Sequence, residues 1–303
     1  MHRVSRAVDN RRPTGYLPRM DAVFALVASA LEAVDNRLAP DLDEPAFDPP
    51  LVGLSRADDP MWERIVTQIG PPHWRPDQAF ALAFPRKPAA ARELAIVSWI
   101  LPQTKATRDD HRRSKDRPSR RWSLARHYGE QVNERLRRRI VEILTSQGLD
   151  AVAPVLLPEW DYGRSATAGI ASNWSERHAA FAAGLGTFGL SDGLITARGK
   201  AVRVGSVLVR ADWPATPRPY GDNHRAYCLH FSTGRCDVCA RRCPAGAIGP
   251  DGHDKEACKA YIRSVTAPFV AAEQLGFPVN SCGLCQTGVP CEARIPKTRP
   301  KPA

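Results

Sequence analysis

The clearest periodicity lies between Ser123 and Gln147, where Tyr128, Val132, Leu136, Ile140 and Leu144 recur every four residues. That spacing predicts a long helix packed by one face, with Gly148 as its C-terminal stop. Near the start, Val23, Phe24, Val27, Leu31 and Val34 share one helical face, and Asp21 and Glu32 bracket the short apolar run. This favours an amphipathic surface helix over a secretory leader. The run Leu94–Ile100 is nearly all apolar and predicts a buried strand, and Val152–Leu157 reads as a second. Asn173 with Glu176 has capping-box spacing, which predicts a helix over Trp174–Ala183 that Gly184 ends. Leu194–Thr196 and Val202–Val209 read as a hairpin around Arg198–Gly199. Thr104–Arg121 is polar and strongly basic and reads as a loop, and Trp213–Tyr220, with three prolines, as a linker. The alternation of strands and helices implies an α+β or α/β first domain over residues 1–222. A second domain is expected over residues 223–296, then a basic, disordered tail over residues 297–303.

Composition sharpens this picture at one point. The 303 residues carry 43 Lys and Arg against 32 Asp and Glu, a formal charge of +11, with 43% hydrophobic residues. These are the proportions of an ordinary globular chain, and no stretch approaches the ~18 apolar residues of a membrane span. With nothing marking secretion, a cytoplasmic location is expected and disulfides are not. The eight cysteines are not scattered: all lie between Cys228 and Cys291. Such clustering points to a metal centre.

The first cysteine group is Cys236-x2-Cys239-x3-Cys243-Pro244 and the second is Cys282-x2-Cys285-x5-Cys291, with Cys228 before them and Cys258 between. A C-x2-C step lets one tight turn offer two thiolates to one centre, a geometry that zinc and iron–sulfur clusters both use. Eight cysteines match two 4Fe–4S clusters, and C-x2-C-x3-C-P is the ferredoxin run whose final cysteine crosses to the other cluster. Crossing gives Cys228, Cys236, Cys239 and Cys291 for one cluster, and Cys243, Cys258, Cys282 and Cys285 for the other. Thr233 stands where the usual run has a cysteine, so Cys228 is its substitute. Two zinc knots are the competing reading.

Gly184-Leu185-Gly186-Thr-Phe-Gly189-Leu190 matches G-x-G-x-x-G, but it follows a predicted helix, the inverse of a dinucleotide-binding context. It is either a tight turn or a loop against a flat cofactor.

With these motifs in place, the chain from Leu94 to Pro296 resembles the iron–sulfur, corrinoid-dependent reductases, a superfamily of epoxyqueuosine reductases and reductive dehalogenases. The segments that carry the resemblance are Ala95–Trp99, the helix Trp122–Ile143, Glu176–Leu190, Gly193–Thr196, Val202–Val209, Cys236–Ile248 and Cys258 within Glu256–Ile262. The resemblance implies an N-terminal cobalamin-reductase-like domain and a double-cluster ferredoxin-like domain. It further implies a cobalamin held base-off, with two 4Fe–4S clusters feeding it electrons. Gly184, Leu185, Gly186, Gly189 and Leu190 would then lie against the corrin. A reducing partner such as ferredoxin or flavodoxin, and tRNA or a small organic substrate, are the implied partners. Two departures mark a divergent branch. Ile170 stands where epoxyqueuosine reductases keep a proton-donating Asp, and the second cysteine group ends in C-x5-C instead of C-x3-C-P.

A reductive step still needs a proton donor near the substrate. Asp161 and Tyr162, in the cluster Trp160-Asp-Tyr-Gly-Arg164, are the replacement candidates; a plain loop with a stacked aromatic is the alternative. His178 reads as a packed histidine. Residues 105–139 hold thirteen lysines and arginines against five acids, a surface that could attract phosphates or serve as a solvated face. The favoured function is an oxidoreductase that relays electrons through two clusters to a corrinoid and an organic substrate. The alternative is an electron-transfer module with neither.

Overall fold

A computed structural model describes residues 20–297; the N-terminal basic stretch and the tail from residue 298 lie outside the described residues. At the centre is a four-stranded sheet in the order Leu51–Arg56, Leu94–Pro102, Val202–Arg210, Ala151–Val152, every neighbouring pair antiparallel. The fold is therefore α+β and not a parallel α/β sheet.

Strand Leu94–Pro102 is buried along its whole length because helices cover both faces of the sheet. Ala95, Val97, Trp99 and Leu101 face the helices Met20–Ala33 and Arg120–Ser146, among Val27, Val132, Leu136 and Ile140. Leu94, Ile96 and Ile100 face the other way, toward Trp62, Ile65, Trp174 and the alanines of helix Glu176–Ala182. Alternation of side chains along the strand assigns each set to its own core. A polar contact ties the layers: Trp99 Nε1 donates to Asn133 Oδ1 at 2.9 Å, and Asn133 Nδ2 donates to the Val204 carbonyl at 3.0 Å.

Several expectations are corrected. The basic stretch after Thr104 is not all loop. Thr104 accepts from the Thr107 amide and caps a helix over Lys105–Arg112, and the long helix already begins at Arg120. The second strand is only Ala151–Val152, because Pro154 starts a 3-10 turn over Pro154–Leu156. The capping box does not form. Ser175 is the N-cap residue, Asn173 turns away to the Glu159 carbonyl at 2.7 Å, and Glu176 binds Arg137 at 3.0 Å. The hairpin is replaced by two other pairings, one local and one long-range. Leu194–Thr196 pairs with Gly186–Phe188, and Val202–Arg210 pairs with Leu94–Pro102. The proline-rich segment is docked, not loose: Trp213 and Tyr220 are buried, and the Thr216 amide donates to the Leu54 carbonyl at 2.9 Å.

The cysteine-bearing part is poor in regular structure. It holds short helices over Leu229–Thr233 and Val238–Arg241 and a two-residue strand pair, Ile248–Gly249 with Gly252–His253. Then comes an irregular helical stretch from Lys255 to Leu275, with π-helical turns over Ile262–Thr266 and Ala271–Leu275. It is clamped to the sheet layer. The Lys200 and Ala201 amides donate to the Glu292 carbonyl at 3.2 Å, and the Glu292 carboxylate takes Arg112 at 2.5 Å and the Gly288 amide at 2.6 Å.

Candidate metal centres and the adjoining cleft

Cys228 precedes helix Leu229–Thr233, Cys239 lies in Val238–Arg241, and Cys291 returns from the far loop to meet them. Cys228, Cys236, Cys239 and Cys291 line one small space, with Leu190, Ile195 and Val289 as its apolar walls. Burial pushes the Cys291 thiol up to about 11, and the charges of Cys239, Cys228 and Cys236 act on it in the same direction. Burial also pushes Cys282 up to about 12, with Cys285, Cys258 and Cys243 as its charged neighbours. The first four thus share one space, while Cys243, Cys258, Cys282 and Cys285 are near enough to act on one another's charge. Cys285 also acts on Cys239, so the groups are neighbours. Among the described residues no three Cys, His, Asp or Glu side chains converge closely enough to hold a single metal ion.

Lys200 was not singled out in the sequence. It is 2% exposed, and its Nζ donates to Ser191 Oγ at 2.9 Å. Burial works to lower it, but Cys291, Cys285, Cys239 and Cys228, drawn from both groups, outweigh that and hold it above the ordinary lysine value. A buried ammonium is costly unless negative charge surrounds it. The thiols act on Lys200 in this way only as thiolates, and metal binding would make them so, because a coordinating thiol is deprotonated outright. The donor set and its counter-charge therefore fit thiolate-ligated clusters. Nothing in the sequence around Gly199-Lys200-Ala201 signals this, since the lysine reaches the thiols only through the tertiary fold.

The glycine loop is held by close backbone packing. Gly184 has φ +78°, and a Cβ there would lie 2.3 Å from the Pro217 carbonyl oxygen; one at Gly186 would lie 2.4 Å from that of Ile195. Gly189 and Leu190 face the first cysteine group. With Phe188 they also line a cavity of about 380 Å³.

Asp161 and Tyr162 line a larger cleft of about 710 Å³, together with Ile170 and Cys258. Tyr162 is 64% exposed, and the Asp161 side chain accepts from the Tyr162 amide at 2.6 Å. The cleft and the 380 Å³ cavity share Arg177, His178, Asp192 and Lys255, so they adjoin. His178 is packed as expected, with Nδ1 2.8 Å from Ser175 Oγ and its ring beside Phe188. Burial holds it well below the ordinary histidine value, so it is neutral. Asp192 lies 3.4 Å from His253 Nδ1. Burial would raise the Asp192 carboxyl, but His253, Arg177 and Lys255 leave it lowered and ionised.

The arginines of residues 105–139 are mostly spoken for. Arg112 binds Glu292, Arg113 binds Asp110, Arg121 binds Glu44, Arg137 binds Glu130 and Glu176, and Arg138 binds Glu134. Much of the run is internal scaffolding and local pairing, which weakens its reading as an open phosphate-binding surface.

No family model and no curated protein matches the sequence. Among solved structures, the chain is similar to a selenomethionine-labelled epoxyqueuosine reductase, at 15% identity and a TM-score of 0.49, over 92% of this chain and 70% of that one. It is also similar to an epoxyqueuosine reductase with an epoxyqueuosine-modified tRNA stem loop, at 16% identity and a TM-score of 0.49, over 90% and 66% of the two chains. A catabolic reductive dehalogenase is similar at 16% identity and a TM-score of 0.46, over 81% of this chain but only 30% of its own.

Proposed function

We propose that the protein is an iron–sulfur reductase acting on an organic substrate in the cleft lined by Asp161 and Tyr162. In this reading Cys228, Cys236, Cys239 and Cys291 hold one 4Fe–4S cluster, and Cys243, Cys258, Cys282 and Cys285 hold the other. The observation that carries the reading is that Cys228, Cys236, Cys239 and Cys291, drawn from both cysteine runs, line one small space with the buried Lys200 beside them. Cys258 belongs to the second group and also lines the cleft, which supports electron delivery there. When bound, the clusters supply one-electron transfer, and a corrinoid would supply a strongly reducing metal.

The cleft is within the roughly 300–1,000 Å³ of ligand and cofactor sites, and the adjoining cavity is a second space beside it. In this reading those spaces receive part of a corrinoid and the substrate, in keeping with the resemblance of the sequence to corrinoid-dependent reductases. The chain's own residues have three tasks. Eight thiolates retain the metal, Lys200 offsets their charge, and Asp161 or Tyr162 gives a proton to the reduced substrate in place of the acid that Ile170 has displaced. No transmembrane helix is found among the described residues.

A titration of anaerobic protein with cobalamin tests the reading. Binding should convert the base-on spectrum to the base-off form. An unchanged spectrum would favour the electron-transfer module. Once a substrate is in hand, Asp161→Asn and Tyr162→Phe should separate the donors: loss of the true one lowers turnover by roughly 10²–10⁴-fold and leaves cobalamin binding intact.

A further inference from the structure

Beside the large cleft is a smaller pocket of about 180 Å³ whose polar walls are Arg126, Arg203, Gln103, Asn280 and Gln286, with Cys282 at one side. It shares Arg126, Ile262 and Asn280 with the large cleft, so it is a recess adjoining that cleft. No carboxylate lines it.

The charges around it do not balance. Arg137 is bound by Glu130 and by Glu176, each at 3.0 Å. Arg203 has Glu130 as well, at 3.4 Å, and its other nitrogen donates to the Arg126 backbone carbonyl at 3.3 Å. Three guanidiniums therefore share two carboxylates. The surplus falls on Arg126, which is partly buried and makes no side-chain hydrogen bond or ion pair among the described residues. Gln103 adds an independent sign. It is 4% exposed, and its Oε1 has no partner. A half-turn of the amide would exchange that oxygen for an NH2 donor, since the two ends are nearly isosteric. Two forked cations and three amides around a small recess are the donor set that a carboxylate or phosphate requires.

We infer that this recess anchors an oxyanion, a carboxylate or a phosphate, carried by the molecule that fills the cleft. The inference rests on the cleft being the substrate site, and it narrows the substrate to an anionic compound whose charged end reaches Arg126. The competing use of the arginine pair is to offset the charge of the metal-bound thiolates at Cys282.

The test uses anaerobically reconstituted full-length protein with its iron content checked, titrated at low ionic strength with inorganic phosphate and, separately, with benzoate. At least one probe should bind at one equivalent. Arg126→Gln should weaken that binding by about 10- to 100-fold, the usual worth of a charge-assisted hydrogen bond. Arg126→Lys should recover part of it, and Arg139→Gln, on an exposed face and paired with Glu142, should leave it unchanged. A preference for phosphate or for benzoate tells which oxyanion the recess takes. Cobalamin that displaces the probe would assign the oxyanion to a cofactor phosphate. If neither probe binds, or Arg126→Gln binds as wild type does, the inference is overturned. Should the cobalamin spectrum nonetheless shift, only this inference fails and the reading of the cleft stands.

Discussion

Replacing Lys200 by Met keeps the length of the side chain and removes one buried ammonium from between the two thiol groups. In the metal-loaded protein each added electron makes those surroundings more negative, so the ammonium favours the reduced state. Two unit charges about 4 Å apart interact by about 4 kcal/mol at an effective dielectric constant of about 20, and by less at longer range. A range of about 1 to 4 kcal/mol converts, at about 59 mV per 1.4 kcal/mol for one electron, to roughly 40–170 mV. Lys200→Met should therefore make at least one reduction potential more negative by that amount. The lost donor to Ser191 Oγ adds a separate cost of about 1 kcal/mol to stability. The assay is an anaerobic redox titration followed by electron paramagnetic resonance, on preparations with equal iron. An unchanged potential, or one that rises, would refute the electrostatic role given to Lys200. In metal-free protein the sign should reverse, because the thiols are then neutral and the ammonium is the uncompensated charge. There Lys200→Met should melt higher than wild type.

Cys291→Ala and Cys236→Ala should each abolish the same cluster signal, and Cys258→Ala the other, as spectra and iron content will show; loss of one common signal from all three would dissolve the grouping. Burial presses His111 down to about 3, against its ordinary value near 6.5. The unfolded chain then binds the extra proton first, so this group's stability is intact above pH 6.5 and is lost as pH falls from about 6.5 toward 3, at up to about 1.4 kcal/mol per pH unit. Urea unfolding at pH 7, 6 and 5 should show a steeper decline for wild type than for His111→Asn. Gly205→Ala would set a Cβ 2.4 Å from the Trp99 ring and should cost about 1–3 kcal/mol in denaturant unfolding, through overpacking between the central strands.

What the sequence made legible, and what it hid, follows from how local each feature is. The helix Arg120–Ser146 and the strand Leu94–Pro102 are readable because their apolar pattern answers directly to cores that flank them. Helix Lys105–Arg112 is hidden because it has almost no apolar stripe; the Thr104 cap and pairs such as Lys105–Asp109 and Arg113–Asp110 hold it. The supposed hairpin fails because Arg198–Gly199 does turn the chain, yet Val202–Arg210 finds its partner about a hundred residues earlier. The capping box fails because Asn173 and Glu176 take tertiary partners that outbid the local ones. At the candidate site, cysteine spacing already suggested two groups of four, since tight turns make C-x2-C pairs local. Lys200, and the recess at Arg126, depend on chain segments brought together only by folding.

The most direct test of the central claim is metal and sulfide analysis of anaerobically reconstituted protein. Two clusters with four thiolates each predict a brown protein with about eight iron and eight inorganic sulfide per chain. Stoichiometric zinc without sulfide would contradict the account.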